Sequence, residues 1–148
     1  VIKHIESHSL MVYTDQQRSA SKIIEKQTQG TVDKLAVLTE MRDMAGEMKN
    51  IVSSGANMQD FGRLLDDGWR LKRSLGFGIT NGLIDDWYEA AKKAGAIGGK
   101  LLGAGGGGFL YFIAPPERHE RIVAALGNPK TLPVSFDSQG SRVVFISD

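Results

Sequence analysis

The sequence contains no cysteine, which excludes disulfide frameworks, thiolate metal sites and cysteine nucleophiles. It has no excess of charge either: 18 Lys+Arg against 17 Asp+Glu leave +1 at pH 7, and no block of one sign stands out. A nucleic-acid binder that works by neutralising phosphate carries a basic stripe, and this chain lacks one. Long apolar runs are missing too. The longest stretch free of charge, Leu101 to Pro116, is too short and too rich in glycine to span a bilayer. His4, Glu6 and His8 interrupt the N-terminus where the apolar core of a signal peptide would lie. His4, His8 and His119 share no metal-ligand spacing, and no His-Glu-x-x-His occurs, so they read as surface residues. What is present is 148 residues, 41% hydrophobic and 24% charged. That is enough chain for one cored domain and too little for two. The expected setting is the cytoplasm, with neither membrane nor nucleic acid as a partner.

Ser9 to Thr14 reads as a short strand. It runs into Thr14-Asp15-Gln16-Gln17, a capping-box pattern for a helix to Gln29. Thr31 reads as the N-cap of a longer helix whose Leu38, Met41, Ala45, Met48 and Val52 step by three and four along one face. A third helix starts near Asn57, with Phe61, Leu64, Leu65, Leu71 and Leu75 on its apolar side. Thr80 or Asn81 caps a fourth. Its acids Asp85 and Asp86 stand near the start and Lys92 and Lys93 near the end, as the helix dipole favours, and Gly95 closes it. After Ala96 the pattern turns to strands over Gly98–Leu102 and Phe109–Ala114. A helix follows from Pro116 to Leu126, then strands over Thr131–Phe136 and Arg142–Ile146. Pro133 demotes the first of those two to an edge strand or an irregular one. The order predicts an α+β domain, an antiparallel sheet covered by helices on one side.

Gly103-Ala104-Gly105-Gly106-Gly107-Gly108 asks for a chemical explanation, because each glycine costs backbone entropy. Such a run points to positive φ angles or to a very close approach. Successive N–H groups with no side chains in the way suit phosphate oxygens. The plainer alternative is a tight connection between two strands. The string matches G-x-G-x-x-G, but a strand-like Phe109–Ile113 follows it where a dinucleotide fold needs a helix. No Gly-Lys-Ser/Thr ends it, so it is not a Walker A loop. Asp60-Phe61-Gly62 precedes the loop, and no His-Arg-Asp occurs, so the protein-kinase pattern fails and Phe61 is expected in the core. Asp66 with Asp67, and Asp85 with Asp86, are adjacent on helices and cannot converge as an acid/base pair.

The run Gly98-Gly99-Lys100-Leu101-Leu102-Gly103-Ala104-Gly105-Gly106-Gly107-Gly108-Phe109 resembles the third signature motif of the GHMP small-molecule kinases. The resemblance extends to Thr14 with Arg18-Ser19-Ala20, to Gly68-Trp69-Arg70-Leu71-Lys72-Arg73-Ser74-Leu75, to Ile79-Thr80-Asn81 and to Ile84-Asp85. Together these motifs look like the sugar-kinase branch that acts on a heptose 7-phosphate. Where the family tends to place Gly after the residue matching Thr14, this chain has Asp15.

The resemblance covers roughly Leu10 to Ile146 and is to the family's C-terminal half only, in a ferredoxin-like arrangement. It implies ATP and Mg as cofactors. It also implies an N-terminal domain of the same kinase that carries the ATP loop, the Mg ligands and the catalytic Asp, so no catalytic residue is expected in this chain. The non-Met start at Val1 leads to the same expectation, a C-terminal domain separated from its catalytic partner and inactive alone. The resemblance further implies that Gly103, Ala104, Gly105, Gly106, Gly107, Gly108 and Lys100 contact phosphate, and that Arg18, Lys72 and Arg73 are candidates for the phosphosugar. Kinases of the fucose, galactose or mevalonate type, and a non-catalytic module binding an anionic metabolite, remain as alternatives.

Overall fold

The computed structural model describes residues 1–16, 34–76, 78–103, 105–137, 139–140 and 145. Helix α1 (Ile2–His8) leads directly into strand β1 (Ser9–Tyr13). Helices α2 (Leu35–Ser53), α3 (Met58–Ser74) and α4 (Gly82–Ala94) follow. Strands β2 (Gly98–Leu101) and β3 (Phe109–Ile113) flank the glycine loop. A 3₁₀ turn (Pro116–Arg118) then opens helix α5 (His119–Ala125), and β4 (Thr131–Leu132) follows. All pairings are antiparallel, in the order β2-β3-β1-β4. With α1 set aside, β1, helices, β2, β3, helix, β4 is the ferredoxin-like βαββαβ pattern. The predicted α+β class and antiparallel sheet are therefore present.

The helix start expected near Asn57 and the expected boundaries of α4 are present, while the expected Thr31 cap lies outside the described residues. Asn57 accepts the N–H groups of Gln59 and Asp60 at the start of α3. Asn81, rather than Thr80, accepts the Ile84 N–H at 3.1 Å and opens α4, and Gly95 ends that helix at φ +122°. Strand β4 stops one residue before Pro133, which has no N–H to extend the ladder, so the expected strand to Phe136 is cut to two residues. The expected helix to Gln29 lies outside the described residues. So does the final strand, except for the exposed Phe145.

Helices cover both faces of the sheet, not one. Leu10 and Val12 of β1, Leu110 and Phe112 of β3, and Leu101 of β2 share one face by register. They join Trp69 of α3, Ile84, Tyr88 and Ala91 of α4, and Ile122 of α5 in the main core. On the opposite face Ile113 and Tyr111 meet Ile5 of α1, Met58, Phe61 and Leu65 of α3, and Val52 of α2. Phe61 is thus a packing residue, as expected. Helix α3 serves both clusters by crossing the β2 edge so closely that a Cβ on Gly98 would collide with the Gly62 carbonyl. Helix α1 went unread because seven residues carry too little periodicity to register.

Candidate active site

The glycine loop bridges β2 and β3 and is held from three directions. From β1, the Thr14 N–H and hydroxyl both donate to the Gly108 carbonyl at 2.9 Å. Thr14 is buried and spends its hydroxyl proton on the loop. Gln17, the other end of the capping box expected at this point, lies outside the described residues. The Gly108 N–H returns a bond to the Gln16 carbonyl at 3.0 Å. Between these two contacts Asp15 adopts φ +53°. That is the left-handed region glycine favours and aspartate tolerates.

From the α4 side, the Gly106 N–H donates to the Ile79 carbonyl at 3.0 Å. Asn81 Nδ2 donates to the Gly106 carbonyl at 3.2 Å and to Gln16 Oε1 at 2.7 Å. Asn81 therefore does two jobs. Its oxygen caps α4, and its amide ties the loop to the segment after β1. Sequence reasoning found the cap and missed the clamp, since nothing local marks a partner so distant along the chain.

From α3, Lys72 Nζ donates to the Gly103 carbonyl at 2.9 Å. Burial, and next the nearby charge of Lys100, hold the Lys72 ammonium below its usual pKa. Lys72 and Lys100 are thus brought together at the start of the loop. Arg73, one residue on, is turned to Asp85 at 3.4 Å, and Asp85 also accepts the Thr80 hydroxyl at 2.8 Å. Arg18 and Ala104 lie outside the described residues.

Inside the loop the glycines answer to sterics as well as to any ligand. Gly103, Gly105, Gly106 and Gly108 have positive φ. A Cβ at Gly105 would come within 2.7 Å of Ile79 Cα, and one at Gly107 would collide with the Gln16 carbonyl. The close approach inferred from the sequence is therefore made in part to the protein's own backbone. The amides of Gly106 and Gly108 are spent internally, while those of Gly103, Gly105 and Gly107 have no partner among the described residues. With the two lysines they offer N–H donors and positive charge suited to phosphate oxygens. No three of His, Asp or Glu converge to hold a metal ion among the described residues.

Behind the rim, a buried network fixes β2. The Tyr88 hydroxyl donates to Asp66 Oδ1 at 2.6 Å and accepts the Gly99 N–H at 3.1 Å. Asp66 also receives Arg70 at 2.8 Å and Lys92 at 3.3 Å, so its buried charge is compensated. Burial and the Asp66 carboxylate push the Tyr88 phenol far above its ordinary range, so it stays a donor at any physiological pH.

Comparison with known proteins places these features in context. The sequence model described as "GHMP kinases C terminal" matches residues 44–130. A D-glycero-alpha-D-manno-heptose 7-phosphate kinase of Campylobacter jejuni is 27% identical over 128 residues, covering 85% of this chain and 38% of that protein. A mevalonate kinase of Pyrococcus horikoshii is 32% identical over 118 residues, covering 75% of this chain and 34% of that protein. The crystal structure of L. major mevalonate kinase in complex with R-mevalonate superposes with a TM-score of 0.70 at 19% identity, over 80% of this chain and 37% of that one. The chain spans little more than a third of the length of these relatives.

Proposed function

Because this chain belongs to the GHMP kinases C-terminal family, we propose that it supplies the phosphate- and acceptor-contacting half of an ATP-dependent small-molecule kinase. Its acceptor in this reading is a heptose 7-phosphate. The observation that carries the reading is the donor-rich rim: three glycine amides without a partner among the described residues, with Lys72 and Lys100, on a loop hydrogen-bonded to Thr14, Ile79 and Asn81. Phosphoryl transfer depends mainly on positioning and on stabilising negative charge, which such a rim provides. In this reading Gly103 to Gly108 and Lys100 face the transferring phosphate. Lys72 stands at the same rim, and Arg18 is assigned to the acceptor's own phosphate through a bidentate fork. Arg73, paired with Asp85, reaches the acceptor only by leaving that partner. ATP phosphates suit the rim's chemistry. A Mg ion, the nucleotide loop and the proton-accepting residue are assigned to the N-terminal domain of the same kinase.

The heptose reading is supported by the Campylobacter kinase, which aligns over most of this chain. A mevalonate-type acceptor is favoured instead by the higher identity of the archaeal mevalonate kinases. ADP release by the protein that joins this chain to its ATP domain separates the two. We expect kcat/KM for heptose 7-phosphate to exceed that for mevalonate at least tenfold. The reverse order would assign the acceptor to the mevalonate class. Absence of ADP release with either would favour a non-catalytic binding module.

A further inference from the structure

Helices α2 and α3 and strand β2 enclose a cavity of about 200 Å³ whose wall is apolar except at three places. Two are Lys72 and Lys100. The third is Trp69, a main-core residue 1% exposed, whose indole Nε1 is closed off from solvent and is the one buried side-chain polar atom among the described residues with no hydrogen-bond partner. All three are donors. Neither lysine forms an ion pair among the described residues, although they lie close enough for the charge of Lys100 to disfavour that of Lys72. Two neighbouring cations without a counter-charge, at one end of an apolar cavity, are complementary to an anion. The rest of the wall, including Met41, Met48 and Leu65, is unsuited to a polyol, whose hydroxyls would lose water there without replacement.

We propose that this cavity binds a second ligand, a small anion with a short apolar body, whose charge is met by Lys72 and Lys100 and whose body lies against Met41, Met48 and Trp69. The volume falls below the ~300–1,000 Å³ of pockets for drug-sized ligands, so the body is a short alkyl chain or a single ring. Entry does not require the core to open, because no residue of α2 is fully buried. Lys72 Nζ also holds the Gly103 carbonyl. A ligand that draws on this ammonium therefore competes for the group that secures the start of the glycine loop, which makes the site a means of control over the rim. The cavity shares Lys72 and Lys100 with the rim of the proposed function, so its ligand and a phosphate on the rim would compete for them; binding in the cavity is tested without turnover, through Trp69 and Ala45, which lie outside the rim.

The test titrates the 148-residue chain with octyl phosphate below its micellar concentration, by calorimetry and by the indole N–H resonances, with Trp69→Phe assigning the Trp69 signal. We expect saturable binding, a shift of the Trp69 indole resonance, and affinities for 1-octanol and inorganic phosphate each at least tenfold weaker. Lys72→Met with Lys100→Met, which keeps the apolar stems, should weaken octyl phosphate tenfold or more. Ala45→Leu, which fills the cavity from α2, should do the same with both lysines present. Thermal melts identify any variant that fails to fold, and the other variant then decides. Equal affinity for octanol or for inorganic phosphate, an unmoved Trp69 resonance, or full affinity in a folded variant would overturn the proposal.

Discussion

At Gly105 two separate demands coincide: φ is +116°, and a Cβ would lie 2.7 Å from the Ile79 Cα. At Gly103 only the first applies, since φ is +87° and nothing lies within 4 Å of the added atom. The pair therefore separates conformational strain from crowding. Gly103→Ala should lose about 1–2 kcal/mol from the left-handed backbone alone. Gly105→Ala should lose about 1–3 kcal/mol more, as overpacking against backbone allows little relaxation. Urea denaturation of the two variants measures the difference, and equal losses would reject the assignment of Ile79 as the obstacle. Lys72 offers a second residue-scale test. Its pKa in the fold is below the 10.5 of the free side chain. Between the two values the unfolded chain binds more protons than the native one, so this residue's contribution to stability rises with pH across that window. Lys72→Met should flatten the rise, as read by unfolding free energies measured from neutral pH to about pH 10.5. An unchanged slope would show that Lys72 does not cause it.

Strand β2 is an edge of the sheet, and its exposed side is covered by a side chain in place of a strand. Gly99 pairs with Phe112 at a non-hydrogen-bonded position, which turns its N–H and carbonyl outward. The Tyr88 hydroxyl lies 3.1 Å from that N–H and 3.0 Å from that carbonyl oxygen, and Asp66 fixes the hydroxyl in turn. Covering an edge in this way blocks further strand pairing, and it holds Lys100, the next residue, at the rim. Tyr88→Phe keeps the ring packed on Phe112 but leaves a buried N–H and a carboxylate oxygen without the hydroxyl. A loss of about 1–3 kcal/mol is expected, together with faster amide exchange at Gly99. A variant within a few tenths of a kcal/mol of the parent, with unchanged exchange, would show that water replaces the hydroxyl without cost.

At the same scale, what the sequence made legible follows from how far each signal reaches. Asn57, Asn81 and Gly95 act within a turn of their own helices, so those boundaries could be read directly. Pro133 ended its strand by local chemistry in the same way. Tyr88 carries no local signal in the sequence, because its partners, Asp66 and Gly99, lie on other elements. The Thr14 hydroxyl donates to Gly108, a contact no local pattern encodes, and the helix expected to follow it lies outside the described residues.

For the molecule as a whole, the decisive arrangement is a sheet cored on both faces, with the proposed phosphate rim on the loop between β2 and β3. The main cluster and the cluster around Ile113 are both closed by this chain's own helices. The chain alone should therefore fold and unfold cooperatively. The rim, in contrast, offers donors: glycine amides, Lys72 and Lys100. Stabilising transferred phosphate is only part of the reaction, which also needs the acceptor hydroxyl's proton removed and the nucleotide held in line. The buried carboxylate of Asp66 is committed to Tyr88, Arg70 and Lys92, and Asp85 is committed to Thr80 and Arg73. We therefore expect the 148-residue chain by itself to melt as a folded domain yet to release no ADP above background from ATP with heptose 7-phosphate or mevalonate. Turnover by the chain alone would overturn the division of labour proposed above. It would point to the exposed Asp15, in its left-handed turn between the two residues that hold Gly108, as the first carboxylate to test for the proton-accepting role.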